Sequence, residues 1–289
     1  MNSKSHRIVI ILGPTAVGKT DYSIELALSL GSPVVSCDSR QIFREMKIGT
    51  AVPSGDQLAR VRHYFIGERS VTEPYTAGRY ELDALSLLDE LFKSHETVVF
   101  CGGSGLYIDA LCNGLDDFPQ ADQQLRAQLN GRLRTEGVES LRMELKRLDP
   151  ESYAAVDIAN PQRVIRALEV TLATGRKFSS FKTSSRRERP FAIEKIGLTR
   201  PRAELYDRIN RRVDAMMEQG LEAEARSLLP YRHLPALNTV GYKEMFDFFD
   251  GRTPLEEAVR LIKRNTRHYA KKQLTYWGRD DSIRWLEIG

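Results

Sequence analysis

Cysteine is scarce in this chain of 289 residues. The three, Cys37, Cys101 and Cys112, form no CxxC pair and have no His at ligand spacing, which excludes a disulfide framework and a zinc site and leaves reduced, semi-buried thiols. No stretch reaches the roughly 18 consecutive apolar residues of a membrane span. The start, Met1 to Arg7, runs directly into a short apolar strand rather than a signal-peptide segment. A soluble, cytoplasmic protein with no membrane partner is expected. Internal repeats and low-complexity tracts are missing as well. Charge of one sign is only slightly in excess: 43 basic against 39 acidic residues give a net +4, too little by itself to imply a polyanionic partner. Any nucleic-acid surface must therefore be found in how the charge is distributed.

The chain has globular composition, 41% hydrophobic and 28% charged, in an amount that makes one large domain or two smaller ones. Ile8 to Leu12 are apolar without interruption, then come a Gly-rich loop and a helical pattern through Ile24, Leu26, Ala27 and Leu30. A second strand, Val34 to Cys37, ends in Asp38, and a third, Thr97 to Cys101, ends in Gly102-Gly103-Ser104-Gly105. Strands alternating with helices predict an α/β fold with a parallel sheet, whose ligands lie at the carboxyl ends of the strands. From about Pro119 to Lys182 the strand signal disappears, and leucines recur at helical spacing at 125, 129 and 133, then at 141, 145 and 148. Strand signal returns over Phe191 to Leu198 and Ile283 to Ile288, with a helix over Arg202 to Gly220 between them. The expected organisation is a phosphate-loop core in two parts, 1–118 and 189–289, around a helical insertion domain at 119–188. Nothing demands more than a monomer.

Gly13-Pro14-Thr15-Ala16-Val17-Gly18-Lys19-Thr20 fits GxxxxGK[ST] between a strand and a helix. In that pattern backbone N–H groups cradle phosphate, the Lys neutralises it and the Thr hydroxyl can hold Mg²⁺. The loop does not say which phosphate, because it grips a nucleoside triphosphate or another pyrophosphate by the same amides. No NKxD guanine motif is present, which argues against a nucleotide switch. Asp38 is the acidic residue placed beside the loop, as a Mg²⁺ ligand or a general base. Arg208 and Arg212 stand at i and i+4 on one helix side, either as a solvated face or reaching back over the phosphate site. Between Ala258 and Arg279 there are seven Lys/Arg and no Asp/Glu. On that helix Arg260, Arg264, Arg267 and Lys271 project from one face, nearly opposite a packing face of Val259, Ile262 and Tyr269. The missing acids favour nucleic acid, with Tyr242, Tyr276 and Trp277 near enough to stack on a base.

These residues together resemble one family over nearly the full chain, the bacterial tRNA dimethylallyltransferases, also called tRNA isopentenyltransferases. The phosphate loop, Asp38-Ser39, Ile48-Gly49-Thr50-Ala51, Gly102 to Tyr107, Asn160 to Val170, Leu205 to Asp214 and Val240 to Glu244 follow the family's blocks in order. The resemblance implies a phosphate-loop NTPase-like core that binds dimethylallyl diphosphate, not ATP. It implies transfer of the dimethylallyl group to N6 of adenosine 37, next to the tRNA anticodon, with diphosphate leaving. Residues Gly13 to Thr20 would grip the diphosphate; Lys19, Thr20 with Mg²⁺, and Arg212 would neutralise it, and Asp38 would take the amine proton. The tRNA anticodon stem-loop would be contacted by Asp38, Ser39, Arg40, Gln41, Ser104 and Arg126. It would also be contacted by Gln162, Arg163, Val164, Ile165 and Arg166, by Asn238, Thr239, Val240, Gly241, Tyr242 and Lys243, and by Lys271, Lys272 and Gln273. The helical insertion would clamp the anticodon stem. Ser104 stands where the family commonly has Thr, Asn238 where small residues are usual, and Thr275-Tyr276-Trp277-Gly278 where a TWFR-like run is expected.

Overall fold

A computed structural model describes residues 6–119, 122–182 and 186–289. It opens with strand β1 (Arg7–Leu12), helix α1 (Lys19–Leu30), β2 (Val34–Ser36), α2 (Gly55–Arg60), β3 (His63–Tyr64), α3 (Ala77–Leu91), β4 (Thr97–Cys101) and α4 (Gly105–Asn113). The helices α5 (Gln123–Leu148), α6 (Pro150–Ala155) and α7 (Pro161–Thr174) follow without a strand. The chain then returns through β5 (Ala192–Thr199), α8 (Arg202–Glu218), α9 (Leu221–Ser227), α10 (Tyr242–Phe249), α11 (Leu255–Trp277) and β6 (Ile283–Glu287). Two compact units result: Met1–Cys112 with Glu188–Gly289, and Asn113–Arg187.

In the first unit all strand pairings are parallel, in the order β3-β2-β4-β1-β5-β6. Ile8, Ile10, Ile11 and Leu12 are fully buried, as the centre of a sheet covered on both faces requires, and this accounts for the uninterrupted apolar run. From β1 the chain crosses to β2 on one side, and after β4 it crosses to β5 on the other. The carboxyl end of β1 is thus the place where connections diverge and a crevice opens. The phosphate loop follows that strand directly. Gly13 is obligatory here: its φ is +140°, and a Cβ would stand 2.5 Å from the Leu198 carbonyl oxygen of the neighbouring β5.

In the second unit the predicted leucine spacing becomes real packing. Leu129, Leu141 and Leu145 of α5 meet Val164, Ile165 and Leu168 of α7, and Phe118 stacks on Phe178 at 4.6 Å between centroids. Gly137, at φ 80°, breaks α5 between the two leucine groups, which is why the spacing reads as two runs. Asn160 caps α7, Pro161 occupies its first turn and Gly175 ends it in the left-handed conformation, so both termini are encoded locally. This unit opens at Asn113, ahead of residue 119, because the chain leaves the first unit as α4 ends. The sequence pattern predicts no element at α2, β3 or α3, although Ser54 and Gln57 form a capping box before α2 and α3 buries Ala77, Tyr80, Ala84, Leu88 and Leu91 at helical spacing behind the Thr76 cap.

Candidate active site

The phosphate loop is shaped by contacts to its carbonyl side. Arg208 Nε donates to the Ala16 carbonyl at 2.8 Å and Arg200 Nε to that of Val17 at 2.7 Å. Gln273 accepts from the Thr15 amide at 2.8 Å and donates to the Gly103 carbonyl at 3.0 Å, tying the loop to the turn after β4. Ala16 adopts φ 66°, an uncommon conformation for a residue with a Cβ and one that the two arginine contacts hold in place. Gly18 precedes α1 and supplies no side-chain cap, so the first amides of that helix remain available to an anion.

Lys19 Nζ donates to the carbonyls of Gly13 at 3.0 Å and Pro14 at 2.8 Å. Burial pulls its pKa down to about 8, with the Arg212 charge lowering it further and Cys101 and Asp38 opposing. Arg212 donates to Thr15 Oγ1 at 3.2 Å, and burial, then the neighbouring Arg208, lowers its pKa as well. The helix side carrying Arg208 and Arg212 is therefore the wall of the loop, not a solvated face.

Asp38 opens a turn in which its Oδ1 accepts from the Arg40 amide at 2.8 Å and the Gln41 amide at 3.3 Å. The Ser39 amide donates to Ser104 Oγ at 2.9 Å, and Gln41 Nε2 donates to the carbonyls of Thr50 at 3.1 Å and Ala51 at 3.0 Å. One loop after β2 is thus joined to two others. Glu224 completes this wall: its Oε2 accepts from the amides of Lys47 at 2.9 Å and Ile48 at 2.8 Å, and its Oε1 from the Gly49 amide at 2.9 Å and the Tyr242 hydroxyl at 2.7 Å.

Two adjoining cavities result. One, of about 320 Å³, lies over the phosphate loop, bordered by Lys19, Thr20, Arg208 and Gln273. The other, of about 500 Å³, is bordered by Ser39, Arg40, Asn238 to Gly241, Lys243 and Lys272. Asp38 and Arg212 border both.

The family model for IPP transferase matches residues 41–280. The chain is 54% identical over 286 residues to tRNA dimethylallyltransferase 2 of Porphyromonas gingivalis, an alignment covering 99% of this chain and 95% of the relative. It is 52% identical to tRNA dimethylallyltransferase 1 of Bacteroides thetaiotaomicron, over 96% of this chain and 91% of that one. Among solved structures, the full-length tRNA isopentenylpyrophosphate transferase of Bacillus halodurans superposes with a TM-score of 0.72 at 38% identity, over 98% of this chain and 90% of the other. The chain belongs to the IPP transferase family. Its core is the phosphate-loop NTPase-like sheet of that family, joined to a helical insertion.

Within this family member, several residues expected at tRNA are placed elsewhere. Val164 and Ile165 are fully buried in the core of the insertion, on the inner face of α7, while Gln162 and Arg163 lie on its exposed side. Tyr242 is fully buried with its hydroxyl on Glu224, and Gln273 is buried with its amide engaged at both ends. Trp277 belongs to the core, and Tyr276, though exposed, donates to Asp109. Arg126 and Arg166 share the buried carboxylate of Glu169, at 3.4 and 3.2 Å.

The basic face of α11 also needs revision. Arg260 is ion-paired with Glu257 one turn earlier, and Arg267 donates to Asn210 at 2.7 Å with its guanidinium over Tyr206. Arg264, Lys271 and Lys272 remain exposed. Tyr269, assigned to the packing face, is 43% exposed and borders both cavities. It shares a stripe with buried Ile262 seven residues earlier, but where Ile262 meets the interior the stripe at Tyr269 has reached the cleft. Arg200, Glu224 and Tyr269 are the residues that sequence reasoning missed. Arg200 and Glu224 act on loops far away in the chain, and Tyr269 is marked only by its place beside both cavities.

Proposed function

We infer that this chain transfers the dimethylallyl group from dimethylallyl diphosphate to N6 of adenosine 37 of tRNA, releasing diphosphate. The observation that carries this reading is the joint between the two cavities, where Asp38 and Arg212 border both. The phosphate-loop cavity takes the diphosphate, with the amides at the start of α1, Lys19 and Arg212 as its donors. The larger cavity takes an adenine turned out of its stack, because an in-line displacement needs the amine on the side opposite the leaving group.

In the reaction the N6 lone pair forms the bond to C1 of the prenyl group as the C1–O bond breaks. The bonding electrons leave with the diphosphate, and the N6 proton passes to the Asp38 carboxylate. One Asp38 oxygen is fixed by the amides of Arg40 and Gln41, which orients the carboxylate toward the joint. Lys19 leaves its own carbonyls to meet the diphosphate, and Arg212 stabilises the charge that develops on it.

Mg²⁺ fits the donors present: the Thr20 hydroxyl borders the diphosphate cavity, and this ion is commonly held by one or two protein oxygens together with substrate phosphates and water. It would supply charge neutralisation there. Half-buried Arg40 and exposed Asn238, Lys243, Lys271 and Lys272 suit the phosphates and base edges of an anticodon loop. Gln162, Arg163, Arg126 and Arg166 of the insertion suit its stem, for which the insertion would act as a clamp.

The test is incubation with radiolabelled dimethylallyl diphosphate, Mg²⁺ and unmodified tRNA carrying adenosine at position 37, without ATP. Label in the RNA at that nucleotide is expected. No label, with ATP consumed on small hydroxyl acceptors instead, would move Asp38 and Lys19 into a phosphoryl-transfer reaction.

A further inference from the structure

The prenyl chain, on the reading above, must lie between the diphosphate donors and the adenine, at the joint shared by the two cavities. Most of what borders the joint is polar: Asp38, Arg212 and the hydroxyls of Thr15 and Thr50. Carbon surface of any size comes from Met216 and from Tyr269, the one aromatic residue bordering both cavities among the described residues. When the allylic C1–O bond lengthens, positive charge develops over C1 and C3 of a group that has no hydrogen-bonding atoms. Only a negative π face or a polarisable sulfur can meet that charge without becoming an acceptor for the wrong reaction.

Asp38 cannot serve this purpose and remain the base, and Arg212 has the wrong sign. We propose that Tyr269 is a catalytic residue whose ring face stabilises the allylic cation character of the transition state, with the Met216 thioether completing the carbon wall. This rests on the proposed prenyl transfer. Although 43% of the residue is exposed, desolvation by the cleft walls, with the Asp38 charge adding to it, pushes the phenol up to about 12, so the ring stays neutral at working pH. Placement on α11 fixes the backbone of Tyr269 beside the joint, since Ala270 and Gln273, on the same helix, are buried.

The experiment replaces Tyr269 in the full chain by Phe, by mono-, di- and trifluorinated phenylalanines, and by Leu. It measures single-turnover transfer to tRNA alongside binding of dimethylallyl diphosphate. Tyr269→Phe is expected to stay within about twofold of the parent, and Tyr269→Leu to slow transfer by about 30-fold with diphosphate binding unchanged. Each added fluorine, which drains the ring face, is expected to lower the rate by a further constant factor.

A rate indifferent to fluorination would overturn the proposal and leave the ring as filler. Loss in Tyr269→Phe equal to that in Tyr269→Leu would overturn it in favour of the hydroxyl. Failure of the prenyl-transfer reading is separable, because then the parent protein itself labels no RNA, and both ideas fall together.

Discussion

Around the phosphate loop Lys19, Arg208 and Arg212 donate to the carbonyls and hydroxyl of Gly13 to Ala16, whereas in the insertion Arg126, Arg132, Arg142 and Arg166 each face a carboxylate. A carbonyl oxygen satisfies a donor without cancelling its charge. The core unit therefore keeps partly buried positive charge that no carboxylate cancels, and Lys19, pulled down to about 8 by desolvation, reflects that arrangement. These four arginines of the insertion are matched already. A phosphate brought to these arginines would have to compete with Glu169, Glu144 or Glu139. The difference separates cations held on carbonyl oxygens, suited to gripping a small polyanion, from cations already held on carboxylates.

The sharpest way to break this comparison is at the joint. Asp38→Asn keeps the oxygen that holds the Arg40 and Gln41 amides and removes the base. Turnover is expected to fall by about 10²–10⁴ with tRNA affinity unchanged; equal loss in affinity would make Asp38 an RNA contact instead. Arg212→Ala is expected to slow single-turnover transfer by about 10²–10³, as loss of charge stabilisation on the leaving group would. A change confined to the KM for tRNA would place this side chain on the RNA side.

Lys19 sharpens the core half of the comparison through pH. Its pKa is lowered in the free protein, and bound diphosphate favours the charged form, so binding takes up a proton wherever free Lys19 has lost one. Affinity for dimethylallyl diphosphate should be flat below about pH 8 and weaken by up to about tenfold per unit above it, read by calorimetry between about pH 7 and 9.5. Lys19→Arg, which stays charged, should flatten that limb.

The smallest effects belong to the proposed RNA surface. Arg264→Gln with Lys271→Gln should reduce the slope of log affinity for tRNA against log salt by about one for every phosphate these two side chains neutralise. Arg267→Gln should leave the slope alone, since Arg267 is tied to Asn210 and Tyr206. Arg126→Gln should weaken tRNA binding less than removal of an unpaired arginine would, because Glu169 already shares its charge. An Arg126 effect as large as that of Arg264 would erase the contrast drawn between the two units.

Much of the core is legible because its signals are local. Ile8 to Thr20 announces a buried strand, a turn needing glycine and a helix with open amides within one short segment, and all of these are present. Asp38 and the Gly102 to Gly105 turn fall on the same edge of the sheet because parallel strands end together. Expectations fail where a helix stripe is asked to say what lies opposite it. Val164 and Ile165 sit inside a block with Arg163 and Arg166, and sequence adjacency carries them toward the RNA although successive helical residues point about 100° apart. On α11 the same periodicity places Tyr269 with Ile262 correctly, but it cannot tell interior from cleft.

The sequence by itself determined the chemistry of the grip, since amides, Lys19 and Thr20 are arranged by the backbone of one short segment. Tertiary structure alone decided the other half of the site. Gln273 reaches Thr15 across 258 positions, Arg212 reaches it across 197, and Glu224 clasps the 47–49 loop across at least 175. Such contacts depend on how whole helices dock, a sum of many small packing energies that no local pattern of residues records.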